Sequence, residues 1–355
     1  MLSTPNSQTT EESSPAALFE LEDNYSVAWD AFVDSHPSGS IFHLLCWRRT
    51  IEKTYNYPAK YFYAKRGEKW TGVLPSFVVG APPFPRALVS VPVAVGGGIL
   101  AEDAQTAALL RGAAREYAQK ENLEYVEYKT ETPLFDDLPT KDGLYYRFEQ
   151  ELFGDRDKQL KAIPRKTRAV VRTGQKAKLQ GSYTKDVLDP FYDLYTLSLR
   201  ALGTPTFPKS LFRNALDECR SDFVCVREAG RIIGVVMNFY YKDTMMPFFA
   251  GTLPEARNVG VNNYLYWHML ETGYDLGYRT FDFGRSKANT GAFKFKKNMG
   301  MDPIELRYQY ELLKLSELPQ VNPNNPKYER AIQLWRKLPL FATQKLGPLL
   351  QRRIP

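Results

Sequence analysis

Tyr278-Arg-Thr-Phe-Asp-Phe-Gly-Arg-Ser-Lys-Ala-Asn-Thr-Gly-Ala-Phe-Lys-Phe-Lys-Lys-Asn-Met-Gly300 is the stretch on which the reading of this chain turns. From Thr280 to Phe283, Phe281 and Phe283 alternate with Thr280 and Asp282, the period of a strand with one face turned inward. The strand breaks at Gly284 and presents Arg285, Ser286 and Lys287. It turns at 289–291 and re-enters an apolar-basic alternation from Phe293 to Lys297. A carboxylate at a strand end, followed by a guanidinium, a hydroxyl and several ammoniums, is costly to assemble unless an anionic or reacting group is received there.

Working outward, the elements before this stretch repeat those of the first half. Phe223 to Val236 lies over Phe62 to Leu74 as strand, turn and strand with a shared glycine. A strand at 246–251, a helix at 261–276 and a strand at 279–283 then match a strand at 88–92, a helix at 103–120 and a strand at 125–128. A repeat of this size is too long for a solenoid and implies two similar α/β domains. The expected division is a disordered tail over 1–18, a first domain over 19–150, a second over 151–315 and a helical extension over 316–355. Helices are also expected at 25–35, 44–54, 188–202 and 328–337, with a short apolar and basic segment at 341–353.

The 355 residues and a 43% hydrophobic content can supply a core for each domain. Three cysteines without paired spacing argue against a disulfide framework and a structural zinc site, so no metal is expected. The first residues are rich in Ser, Thr, Pro and Glu and lack the basic start and apolar run of a signal peptide. No run approaches the roughly 18 apolar residues that span a bilayer. The expectation is a cytoplasmic protein, at most peripheral at the inner membrane face.

Phe281-Asp-Phe-Gly-Arg-Ser286 and Thr290-Gly-Ala-Phe-Lys-Phe-Lys-Lys-Asn-Met-Gly300 resemble the closing signature of the FemAB-like branch of the GNAT acyltransferase superfamily. Within it, the chain is most similar to FemAB-related proteins associated with exosortase (PEP-CTERM) and exopolysaccharide gene clusters. The resemblance runs from about Phe42 to Tyr310. It implies an α/β (α+β) fold of tandem GNAT-like domains, each a mixed, mostly antiparallel sheet flanked by helices. It also implies transfer of an acyl or aminoacyl group to an amine in cell-envelope or exopolysaccharide work.

On that resemblance Lys296 takes the position of the family's lysine at the reacting ester, where it would neutralise a developing oxyanion. On the residues alone, Lys294, Lys296 and Lys297 are equally the solvated face of an edge strand. Asp282 would orient the attacking amine or pair with Arg285; an ordinary strand-end ion pair is the other reading. Ser286 reads as a donor to substrate. It is not a nucleophile, because a loop rather than a helix is expected after it. Lys294 and His43 complete the expected substrate contacts, His43 because its segment begins a substrate-facing helix in the family.

Arg257-x-x-Gly260-x-Asn262 is similar to the loop by which GNAT enzymes hold a donor pyrophosphate at a helix N-terminus. Asn262 stands where a smaller residue is usual, and a capped loop that merely starts the helix reads equally well. Between the halves, Lys158 to Lys178 carries eight basic side chains, with Arg165, Lys166 and Arg168 at its centre and no acidic residue. Such a run can grip phosphates of RNA, CoA or a lipid-linked sugar, but it lacks aromatics for base stacking. No permanently bound cofactor is expected; the donor is acyl-CoA or aminoacyl-tRNA, and the acceptor amine is lipid- or glycan-linked. The reading from another class is a binding protein whose basic stretch recruits nucleic acid or an anionic membrane.

Overall fold

Gly72 and Gly234, the glycines that the repeat superposes, lie in the second strands of two hairpins, each crossed by a helix. A Cβ on Gly72 would stand 2.6 Å from Thr106 and 2.9 Å from Leu110, and one on Gly234 would stand 3.0 Å from Val261. The helix can pack this closely because the strand residue beneath it has no side chain. The same device in both halves is the physical content of the duplication.

The computed structural model describes residues 15–319 and 329–353. These form two compact units, one of 15–141 with 307–319 and one of 142–306 with 329–353. The first runs β1 (Ala17–Glu20), α1 (Ser26–Ser35), α2 (Leu45–Tyr55), β2 (Ala59–Arg66), β3 (Lys69–Val79), β4 (Ala87–Val89), β5 (Leu100–Ala101), α3 (Ala104–Lys120) and β6 (Tyr125–Tyr128). Its strands order as β1-β2-β3-β4-β6, with β5 on β3. All pairs are antiparallel except β4 with β6. Asp103 caps α3 by accepting the Thr106 N–H at 2.7 Å. The helix presses Leu110 and Ala114 onto Phe62, Leu74, Leu88 and Val126.

The second unit runs β7 (Thr140–Glu151), α4 (Arg156–Ala162), α5 (Arg165–Lys176), β8 (Gln180–Thr184), α6 (Leu188–Leu202), α7 (Lys209–Glu218), β9 (Ser221–Glu228), β10 (Arg231–Tyr241), β11 (Thr244–Thr252), α8 (Val261–Thr272), β12 (Thr280–Lys287) and α9 (Gly291–Asn298). Its strand order is β7-β12-β11-β10-β9-β8. Again a single pair, β11 with β12, is parallel. Its core gathers Phe148, Val224, Val236, Leu265, Trp267, Phe281, Phe283 and Met299. The chain then follows β13 (Pro303–Leu312), of which Gln309–Leu312 pair antiparallel with β6. α10 (Glu329–Lys337) and α11 (Leu340–Gln351) pack on α6.

Several expectations are corrected here. The alternation over 293–297 is not a strand but α9, because Thr290 caps a helix by accepting the Phe293 N–H at 3.3 Å. Three basic residues and two phenylalanines in five positions fit either period, and the cap decides. The expected tail is strand from Ala17, bonded to β2; its residues 1–14 lie outside the described residues, as does 320–328 of the expected extension. The sequence reading gave 142–150 to the first domain and 307–315 to the second, whereas the units hold these segments the other way round. Each is a strand that packs with the sheet it joins rather than with its neighbours in sequence.

Candidate active site

β11 and β12 are hydrogen-bonded only at their beginnings, through Thr244 with Thr280 and Met245 with Phe281. Beyond that point β12 keeps its pairing with β7 while β11 stays with β10, so the two parallel strands part toward their carboxyl ends. On the β7 side, Asp282 faces Glu149 and Arg285 faces Arg147, which leaves one extra residue on β12. This β-bulge lies where the strands diverge, the kind of place where a sheet re-aims side chains.

Two buried side chains latch the bulge. Asp282 Oδ1 accepts the Gly284 N–H at 2.7 Å. Lys296 Nζ, from α9, donates to the carbonyls of Gly284 and Arg285, each at 3.0 Å. Asp282 is 6% exposed and Lys296 is 8% exposed. Burial raises the Asp282 carboxyl to about 6, against the opposing pull of Arg147, the Gly284 N–H and Lys296. Burial lowers the Lys296 amine to about 7; Asp282 opposes that shift and Arg285 adds to it. A carboxyl and an amine thus both titrate near neutrality beside one bulge.

Around the latch, Lys296 Nζ stands 5.7 Å from the Phe148 ring centroid and the Arg285 guanidinium 4.3 Å from that of Tyr145. Ser286 is buried, and its Oγ has no hydrogen-bond partner among the described residues. Such a hydroxyl is rare in a folded protein and available to a ligand. A helix does follow Ser286, contrary to expectation, but Ser286 lies within β12 rather than on a strand-to-helix turn, so the geometry of a nucleophile elbow is absent. Lys294 is exposed on α9, on a different face from Lys296.

The expected phosphate-binding residues fall into one neighbourhood that the sequence had treated as two. Gly260 caps α8 in a left-handed conformation, φ +71°, and a Cβ there would stand 2.8 Å from the Val170 carbonyl of α5. The basic helix therefore runs beside the α8 N-terminus. α5 buries Thr167, Val171 and Gly174 and leaves Arg165 and Lys166 exposed, with Arg168 half-buried and donating to the Lys161 carbonyl at 3.4 Å. Thr167 donates to the Asn298 carbonyl at 2.6 Å, which ties α5 to the end of the helix carrying Lys296. Arg257 is exposed at the end of the short turn before α8. Asn262 is turned away from the turn's mouth: its Oδ1 accepts from the Thr252 hydroxyl at 3.0 Å.

His43 belongs to the other unit. It is buried, its Nδ1 is bonded to Ser40 and its Nε2 lies 3.2 Å from the Gly98 carbonyl; burial lowers its pKa to about 3. It sits there as a neutral, fully engaged core imidazole. The residues that the sequence reading missed are those of β7, namely Tyr145, Arg147 and Phe148. Their signal in the sequence is the alternation of Tyr146 and Phe148 with Arg147 and Glu149, the period of a strand. Among the described residues no group of three or more His, Cys, Asp and Glu side chains could hold a metal ion. No described helix is long and apolar enough to cross a membrane.

Residues 157–297, which contain the basic helix and the latch, match the model of the acetyltransferase (GNAT) domain. No curated protein matches the chain in sequence. Among solved structures the chain is similar to FemX, with a TM-score of 0.66 at 15% identity over 84% of this chain and 98% of that one. It is similar also to a tandem GNAT protein from the clavulanic acid biosynthesis pathway, with a TM-score of 0.53 at 12% identity over 85% and 100% of the two chains. A third similar structure is the C-terminal domain of a proposed lysylphosphatidylglycerol synthetase from Agrobacterium fabrum, with a TM-score of 0.56 at 11% identity over 81% and 91%. At these identities the likeness is one of fold, and the fold is a tandem GNAT-like α/β architecture.

Proposed function

We propose that the chain is an acyltransferase that forms an amide by moving an acyl or aminoacyl group from an activated carrier to an amine. The observation that carries this reading is the latch. In a unit matching the GNAT domain, a buried carboxyl and a buried amine hold the bulge where β11 and β12 part. In the proposed reaction the amine nitrogen bonds to the acyl carbon, the carbonyl electrons move to oxygen, and collapse breaks the bond to the carrier's sulfur or ribose oxygen. Asp282 takes the proton released by the amine, and that proton leaves with the carrier. Lys296 keeps two N–H groups on backbone carbonyls and offers the third to the oxyanion.

Arg285 and Ser286 position the acceptor, with Lys294 as an outer contact for an acidic acceptor group. Arg257, the Gly260 turn and Arg165, Lys166 and Arg168 hold donor phosphates, Asn262 serving to tie the turn to β11. The donor is acyl-CoA or aminoacyl-tRNA, and the acceptor is an amine on a lipid- or glycan-linked precursor of the cell envelope. The sequence resemblance to FemAB-like enzymes supports the aminoacyl side of this pair, and the match to the GNAT domain supports the CoA side. An exosortase or exopolysaccharide setting rests on the sequence resemblance alone.

A thermal-shift and calorimetric titration of the full chain against CoA, acetyl-CoA, a long-chain acyl-CoA and charged versus uncharged tRNA tests the proposal, because a ligand selective for the native state raises its apparent stability. Saturable CoA binding lost on Arg257→Gln supports the acyl-CoA arm. Charged tRNA binding with CoA inert supports the aminoacyl arm. Binding of either that survives Lys296→Ala, with no turnover by the native chain for any amine tested, would leave a binding protein and refute the enzyme.

A further inference from the structure

α11 is inside out for a helix on a protein surface. It turns Thr343 and Gly347 into the unit, where both are buried. Gln344 on the same side donates to Asp193 of α6 at 2.8 Å, and Gln351 donates to the Pro205 carbonyl at 2.9 Å. Its apolar side chains point outward: Phe341 and Leu349 are each 65% exposed, and Leu346 and Leu350 are nearly half exposed. At helical spacing, Phe341, Lys345, Leu349 and Arg352 fall on one outward face. A surface helix ordinarily does the reverse. Beside it on the same unit, Leu334 of α10 and Leu202 at the end of α6 are each 66% exposed, and Arg336 of α10 donates to the Leu202 carbonyl. Large apolar side chains gathered on one exposed helix face mark a contact with something apolar.

Charge says what covers it. From Glu329 to Arg353, α10 and α11 carry six basic residues, Arg330, Arg336, Lys337, Lys345, Arg352 and Arg353, against a single acidic one, Glu329. A second copy of this chain docked face to face would bring those cations against one another. An anionic bilayer instead supplies hydrocarbon for the apolar side chains and phosphates for the basic ones, with the long stem of Lys345 lying along the apolar face and its ammonium at headgroup level. We propose that α10, α11 and the end of α6 form a docking face for an anionic membrane surface, lying in the interface rather than crossing it. The inference stands on its own residues, so its failure would leave the transferase reading untouched.

The test is co-sedimentation of the full chain with large vesicles of phosphatidylcholine alone or mixed with phosphatidylglycerol, at low and high salt. The expected result is binding to the mixed vesicles only, weakened by salt. Phe341→Ser with Leu349→Ser should lower the partition coefficient at least about tenfold, and Lys345→Gln with Arg352→Gln about tenfold at low salt. Phe341, Lys345 and Leu349 are exposed, and thermal unfolding of each variant alongside the native chain separates a loss of binding from a folding defect. The proposal is overturned if the native chain stays in the supernatant with both vesicle types, or if the serine variant sediments as well as the native chain. It is also overturned if light scattering without lipid finds a dimer that the serine variant dissociates and the vesicles do not.

Discussion

Replacing Lys296 by methionine keeps the length of a buried side chain and removes its charge, so the effect on stability depends on pH in a direction the structure dictates. The folded amine titrates at about 7, against 10.5 in a solvated chain. The roughly 3.5-unit difference corresponds to a cost of about 5 kcal/mol for keeping the ammonium buried when it is charged. A folded pKa below the unfolded one means that this destabilisation is fully present below about pH 7 and is relieved as pH rises toward 10.5. Over that window unfolding takes up one proton, and stability climbs by about 1.4 kcal/mol per pH unit. The methionine variant has no such slope. Loss of the cation should also raise Asp282 further, and a raised carboxyl loses stability as pH rises, so the two curves separate more widely in the same sense.

Urea unfolding at a series of pH values from about 7.5 to 9 should therefore show the native chain gaining about 2 kcal/mol on Lys296→Met. Near pH 6 the two should be close. There the variant escapes the buried charge but leaves the carbonyls of Gly284 and Arg285 unmet, at about 1–3 kcal/mol each. Parallel curves across the series would mean that the ammonium is solvated, and the latch as described would be wrong.

The catalytic assignment predicts that kcat/KM rises through about pH 6 as Asp282 ionises and falls through about pH 7 as Lys296 loses its proton. Asp282→Asn, whose side-chain oxygen can still accept the Gly284 N–H, should fold normally, lose the acid limb and lower the rate by roughly 10²–10⁴; an unchanged profile would remove Asp282 from the reaction. Ser286→Ala deletes a buried hydroxyl without a partner and should leave stability unchanged or raise it by about 1 kcal/mol while raising KM for the acceptor. A loss above about 1 kcal/mol in denaturant unfolding would instead reveal a structural bond at that oxygen. Gly260→Ala forces a side chain into a left-handed residue against the Val170 carbonyl and should cost about 1–2 kcal/mol or more, together with donor affinity. Neutralising Arg165, Lys166 and Arg168 together should leave the melting temperature in place. If the donor is RNA, it should flatten the log–log salt slope of binding by roughly two units; a slope that does not change would take α5 out of the donor site.

The duplicated α/β order and most of the elements were readable because each depends on local pattern. α3 carries its own cap at Asp103, β6 is a short run rich in aromatic and β-branched residues, and the hairpin glycines recur at the same place in each half. The stretch from Phe281 to Lys296 was likewise legible as the chemically loaded part of the chain. Its local geometry was not. Whether Phe293 to Lys297 is strand or helix turned on a single threonine, and Lys294, Lys296 and Lys297 look alike until one of them is buried.

What the sequence determined by itself, then, is the fold class, the order of the elements and the set of residue types brought to the end of β12, since periodicity, caps and glycine positions act over a few residues. Only the tertiary structure decided that Lys296 leaves solvent while Lys294 does not, that α5 lies against the α8 N-terminus, and that α11 shows its leucines rather than its glutamines. Each of these depends on which distant segment supplies the opposite surface, and that partner sets the burial from which charge state, pKa and exposure follow.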